Sequence, residues 1–149
     1  MFSIRKILHP TDFSDQSRAA FELACALARD YQAQLLIVHV NRPTPIYAPD
    51  GIAVGVPVEN PLELRARLAD VRPTDPRITV EHHLLDGDPA EQILKTAQSQ
   101  NVDLIVMGTH GTTGLARLLL GSVAESVLRK ASCPVLTVKA PVLVSLSSS

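Results

Sequence analysis

The sequence predicts an open, doubly wound α/β domain built on a five-stranded parallel sheet, and three observations predict it. Short β-branched apolar runs alternate with stretches of helical periodicity along the chain. Two of those runs, LLIVHV (35–40) and VDLIVM (102–107), are apolar at nearly every position, the mark of strands buried on both faces. Parallel neighbours need crossover connections, and the intervening helices supply them. A length of 149 residues suits one such domain.

The first element is a strand at 4–8, which Pro10 breaks before Ser14 offers a helix cap. Ala19, Ala20, Leu23, Ala24, Leu27 and Ala28 then recur at helical spacing, giving a helix with one core face. LLIVHV is the central strand. Residues 41–60, rich in proline and glycine, read as an irregular surface loop, and a loop of that length points to function or mobility. PLELRARLADVR gives a second helix with a thin apolar face, and ITVEHHLLD alternates like a strand with one partly exposed face. In DGDPAEQ, Asp88 caps a third helix ending near Ser99, Pro89 takes its first position, and Glu91 completes a capping box.

The fourth strand, 102–107, runs into a glycine-bearing loop. Ser122 and Glu125 then read as a capping box for the helix SVAESVLRKA, which Pro134 stops, and PVLTVK is the fifth strand. The domain is assigned to residues 1–140. The tail at 141–149 keeps three readings: an added edge strand, a segment docked on a partner, or a frayed end.

Composition narrows the function. Fourteen Lys and Arg against fifteen Asp and Glu leave a net charge of -1, so no broad field gathers nucleic acid or acidic membrane. Few aromatics and no Trp leave little on which bases could stack. Cys25 and Cys133 lack CxxC spacing and His partners, which predicts buried spectators rather than a metal or redox site. With no secretory or membrane-spanning pattern, the expected location is cytoplasmic.

Ligands of open α/β sheets bind outside the carboxyl ends of the strands, where the strand order reverses. Two loops lie there: HPTDFS after the first strand and GTHGTTGLARLLLGS after the fourth. The second spells G-x2-G-x9-G-S over Gly108, Gly111, Gly121 and Ser122. Glycine lets backbone approach a phosphate, and the first amides of the next helix are free donors. The same residues also read as ordinary turn and cap residues. Asp12 reads as a ligand contact or a helix cap, and His110 as a ligand contact or a solvated side chain. His39 reads as a satisfied core histidine. His82 and His83, being adjacent, point to opposite faces and receive no function. Arg117 reads as solvated, with phosphate contact as a minor alternative. No Walker A lysine follows Gly121, and no G-x-S-x-G elbow occurs.

The strings ILHPTDFSDQS, LLIVHV and MGTHGTTGLARLLLGSVAESVLRKASCPVLTVK together resemble the nucleotide-binding branch of the universal stress protein family, departing in the proline-rich stretch and short second helix. The resemblance implies a Rossmann-like, adenine nucleotide alpha hydrolase-like fold. It implies Asp12 and Val40 at the nucleoside, with Pro10, Thr11 and Met107 beside it. Gly108, His110, Gly111, Gly121, Ser122 and Val123 would surround ribose and phosphates. It further implies ATP, or ADP or AMP, as ligand, with Mg carried by the phosphates, and a homodimer formed through the last strand. No catalytic residue and no protein metal ligand is assigned. The expected function is binding and regulation in a stress response; a slow Mg-dependent ATP hydrolase and a dimeric partner-binding module with a structural nucleotide are the alternatives.

Overall fold

The structure is a computed structural model that describes residues 2–57, 59–109 and 120–139. Its elements run β1 (Lys6–Pro10), α1 (Asp15–Tyr31), β2 (Gln34–Asn41), β3 (Pro43–Tyr47), β4 (Ala53–Pro57), α2 (Pro61–Asp70), β5 (Val80–Asp86), α3 (Pro89–Ser99), β6 (Leu104–Gly108), α4 (Ser122–Lys130) and β7 (Val135–Val138). The main sheet has five strands in the order β5-β2-β1-β6-β7. Every pairing within it is parallel. The chain winds outward from β1 through β2 to β5, returns beside β1 as β6, and continues to β7. The order therefore reverses between β1 and β6.

Each face of the sheet carries its own apolar layer. On one side Ala20, Ala24 and Ala28 of α1 and Leu68 of α2 pack on Ile7, Leu35, Ile37 and Val106. On the other, Ala90, Ile93 and Ala97 of α3 and Ala124 and Val127 of α4 pack on Leu8, Leu36, Val38 and Ile105. The alanines let α1 lie close on the sheet, whereas Ala19, Leu23 and Leu27 flank that contact half-buried. Alternate residues of one strand serve opposite layers, so β1, β2 and β6 must be apolar almost throughout. The predicted strand at 4–8 lies two residues further on, because β1 keeps pairing with β2 as far as Pro10, opposite Val38.

Residues 41–60 correct the reading as an irregular loop. β3 and β4 form an antiparallel hairpin with Pro43 opposite Pro57 and Tyr47 opposite Ala53. Its turn is APDG: Gly51 N–H donates to the Ala48 carbonyl at 2.8 Å, Ile52 N–H donates to Asp50 Oδ1 at 3.1 Å, and Gly51 takes φ 84. A Pro-Asp-Gly sequence favours such a turn. Pro43 and Pro45 occupy one set of alternate positions, and a ribbon tolerates proline where the N–H would face outward.

Candidate functional site

The loop after β1 braces itself. Thr11 N–H donates to the Val38 carbonyl at 2.8 Å, extending the β1–β2 ladder past the strand, and Thr11 Oγ1 accepts from Phe13 N–H at 3.1 Å. Asp12 Oδ1 accepts from Ser14 N–H at 3.0 Å and from the Ser14 hydroxyl, while Asp12 N–H donates to Ser17 Oγ at 3.1 Å. Ser14 Oγ in turn accepts from Ser17 N–H at 3.2 Å, which caps α1 as expected. One carboxylate oxygen of Asp12 thus fixes the turn.

Across the reversal, β6 ends at Gly108. Thr109 N–H donates to the Val138 carbonyl at 3.2 Å, and Gly121 N–H donates to the Thr109 carbonyl at 2.7 Å. The start of α4 is therefore pinned to the end of β6. The capping box expected here is corrected: the cap is Gly121, no side chain among the described residues caps the helix, and Ser122 is its first residue. Glu125 contributes its N–H to the Gly121 carbonyl at 2.9 Å, and its carboxylate pairs with Arg129 on the exposed helix face. Side chains of Ser14, Asn60 and Asp88 cap the other three described helices. At α4 no side chain among the described residues accepts from the first amides.

Between these loops lies a cavity of about 250 Å³. Pro10, Thr11, Asp12, Val40, Met107, Gly108, Gly121, Ser122 and Val123 all line it. Two further sequence-predicted residues, His110 and Gly111, and also Arg117, lie outside the described residues. Gly121 sits at φ -63, an ordinary extended value, so positive φ is not what requires glycine there.

Sequence reasoning missed several members of the wall, two of them ionisable, His39 and Arg42. His39 is satisfied, as expected, because its Nδ1–H donates to the Thr11 carbonyl at 2.7 Å, yet it is half-buried and faces the cavity rather than the core. Arg42 follows β2 into the site and makes an exposed ion pair with Asp88 at 3.3 Å. The rule that sites form at carboxyl ends of strands, applied to β2 as well as β1, would have found both. A third histidine, His9, is fully buried behind the site, and burial pulls its pKa down to about 4.

His82 and His83 do separate: His82 Nε2–H donates to the Val71 carbonyl at 2.8 Å, whereas His83 Nε2 is 3.7 Å from Glu81. Among the described residues no group of three His, Cys, Asp or Glu is placed to hold a metal ion. The two thiols are free but only half-buried, correcting the reading of both as buried. Desolvation still pushes Cys25 up to about 11 and Cys133 in the same direction, so neither is an activated nucleophile.

A parallel sheet covered by helices on both faces, with a cleft at its topological switch point, is the geometry in which open α/β domains take small ligands. The model of the Universal stress protein family matches residues 3–139, and the chain belongs to that family. Universal stress protein MJ0531 of Methanocaldococcus jannaschii is 37% identical over 148 residues, covering 92% of this chain and 83% of that protein. The solved universal stress protein UspA from Lactobacillus plantarum superposes with a TM-score of 0.72 at 26% identity, covering 91% of this chain and 98% of the other. A universal stress protein solved in complex with cAMP gives 0.65 at 25% identity, covering 93% and 99%.

Proposed function

We propose that this protein binds ATP in the cavity between β1 and β6 and works as a cytoplasmic stress-response regulator through the difference between its bound and free states. The observation that carries the reading is the convergence of Thr11, Asp12, Val40, Gly108, Gly121 and Ser122 on one cavity from four separate stretches of chain. The residue types fit the ligand. Gly121, Ser122 and Val123 bring uncapped helix amides to the cavity wall, the donor set that phosphate oxygens need at the positive end of a helix. Asp12, at the other loop, is an acceptor for ribose hydroxyls, and Val40 offers backbone groups to the base. His110 and Gly111 complete the phosphate side in the same reading. Mg would arrive on the phosphates, since it commonly keeps several waters and needs few protein ligands. A relative solved with cAMP supports an adenine nucleotide as the ligand class.

The same reading pairs two copies through the outer edge of β7, which has no neighbouring strand among the described residues and offers its backbone groups to a second chain. Acid extraction of purified protein, followed by chromatography of what is released and calorimetry with ATP, ADP, AMP and cAMP, tests the proposal. We expect adenine nucleotide in the extract and saturable heats. An empty extract with no heat from any of the four overturns it.

A further inference from the structure

Phe13 holds a left-handed backbone, φ 66, in the middle of the loop that carries Thr11 and Asp12. A bulky side chain disfavours that conformation, which persists only where its surroundings hold it. Two side chains from other elements meet the Phe13 ring. The His39 ring from β2 lies 4.5 Å away between centroids, and the Arg67 guanidinium from α2 sits over the ring with its Cζ 4.3 Å from the centroid. A cation at that distance is attracted by the ring face. Arg67 is held in turn by Glu59, Nη1 to Oε2 at 3.2 Å, and His39 donates to the Thr11 carbonyl. A chain of contacts therefore runs from α2 to the backbone of the loop, although neither Arg67 nor Phe13 lines the cavity.

We infer that Arg67 is a positioning residue for nucleotide binding: its guanidinium, packed on Phe13, holds the left-handed turn that presents Thr11 and Asp12 to the cavity. The inference rests on the nucleotide reading above. It makes α2, the element that follows the β3–β4 hairpin, a handle on the site, because whatever draws Arg67 from the ring loosens the loop.

The test compares Arg67→Gln, Arg67→Lys, Phe13→Leu and the Arg67→Gln/Phe13→Leu double variant. Calorimetry with ATP and with uncharged adenosine reads affinity, and amide exchange by NMR reads the loop without ligand. Arg67→Gln should weaken both ligands about two- to fivefold, the range a half-exposed cation–π contact supplies. Arg67→Lys, which keeps a cation, should recover part of the loss, and the double variant should be no worse than the single ones. Phe13 and Ser14 amides should exchange faster in Arg67→Gln while α1 is unchanged. A loss confined to ATP would make Arg67 a distant charge and overturn the inference, as would unchanged affinity for both ligands. If the unsubstituted protein binds neither ligand, the nucleotide reading falls and the exchange data alone decide: unchanged Phe13 and Ser14 amides refute the hold on the loop.

Discussion

His9 donates its Nδ1–H to the carbonyl of Val106 at 2.9 Å, tying β1 to β6 inside the sheet. A carbonyl can only accept, so Nδ1 carries the proton and Nε2 keeps its lone pair, with no partner among the described residues. Charging this ring would place a cation in the apolar layer beneath the site. Its folded pKa, about 4, lies below the ordinary 6.5, so between those values the unfolded chain binds more protons. Stability from neutral His9 is then complete above about pH 6.5 and drains away as pH falls towards 4, at up to about 1.4 kcal/mol per unit. Urea unfolding at pH 7, 5.5 and 4.5 should show a drop of about 2 kcal/mol that is much smaller in His9→Leu. Parallel curves for the two proteins would assign the acid lability to another group.

Gly121 is buried at the cavity and hydrogen-bonded to Thr109. Because its backbone is in an ordinary extended conformation, Gly121→Val tests space rather than strain. The added branches occupy the wall where a phosphate would approach the amides of α4. Nucleotide affinity should fall at least tenfold, or about 1.4 kcal/mol, with the thermal midpoint little changed. Calorimetry that returned the original affinity would remove Gly121 from the binding surface.

The parts of this fold legible in the sequence are those set by local pattern. β2 and β6 announced themselves because burial on both faces leaves no polar alternation, and α3 because Asp88 and Pro89 mark its start. The hairpin was hidden because prolines read as breakers, although APDG is a turn signature in plain view. The cap of α4 was misplaced by one residue, since Ser122 and Glu125 fit the capping-box spacing whatever the loop does. His39 lies inside LLIVHV, a run that reads as buried core, and Arg42 belongs to no motif. They reach the cavity because β2 pairs with β1 at Pro10 and Val38 and runs on beyond it, a register that only the assembled sheet defines.

The edge of β7 gives the test of assembly. Carbonyls of Pro134 and Val138 accept from Ile105 and Thr109, so even-numbered residues of this strand face β6 and Val135 and Thr137 face outward. Thr137→Pro removes an outward N–H without touching the β6–β7 ladder, whereas a proline at Leu136 would break the sheet itself. Light scattering at micromolar concentration should find a dimer that Thr137→Pro weakens. A monomer in the unsubstituted protein would end the proposal of pairing through this edge.

Turnover of ATP should be very slow, below about one event per minute, against about ten per second for a typical enzyme. Fast phosphoryl transfer needs an oriented nucleophile, a metal held on the phosphates and cationic stabilisation of the transition state. The sequence from Gly108 to Ser122 contains no carboxylate. Asp12 has one oxygen committed to Ser14, and Glu125 is paired with Arg129 on an exposed face. His39 has its Nδ1–H committed to Thr11. Arg42 is a cation on the cavity wall, ion-paired with Asp88 at the start of α3, on the side of the sheet that α3 shares with α4. Among the described residues the site therefore offers a phosphate many donors and a water molecule no dedicated base. Single-turnover measurement with labelled ATP and excess protein decides the matter. Rapid Mg-dependent phosphate release that disappears in Gly111→Val would make this protein an enzyme, whereas release no faster than about one event per minute is what a binding protein gives.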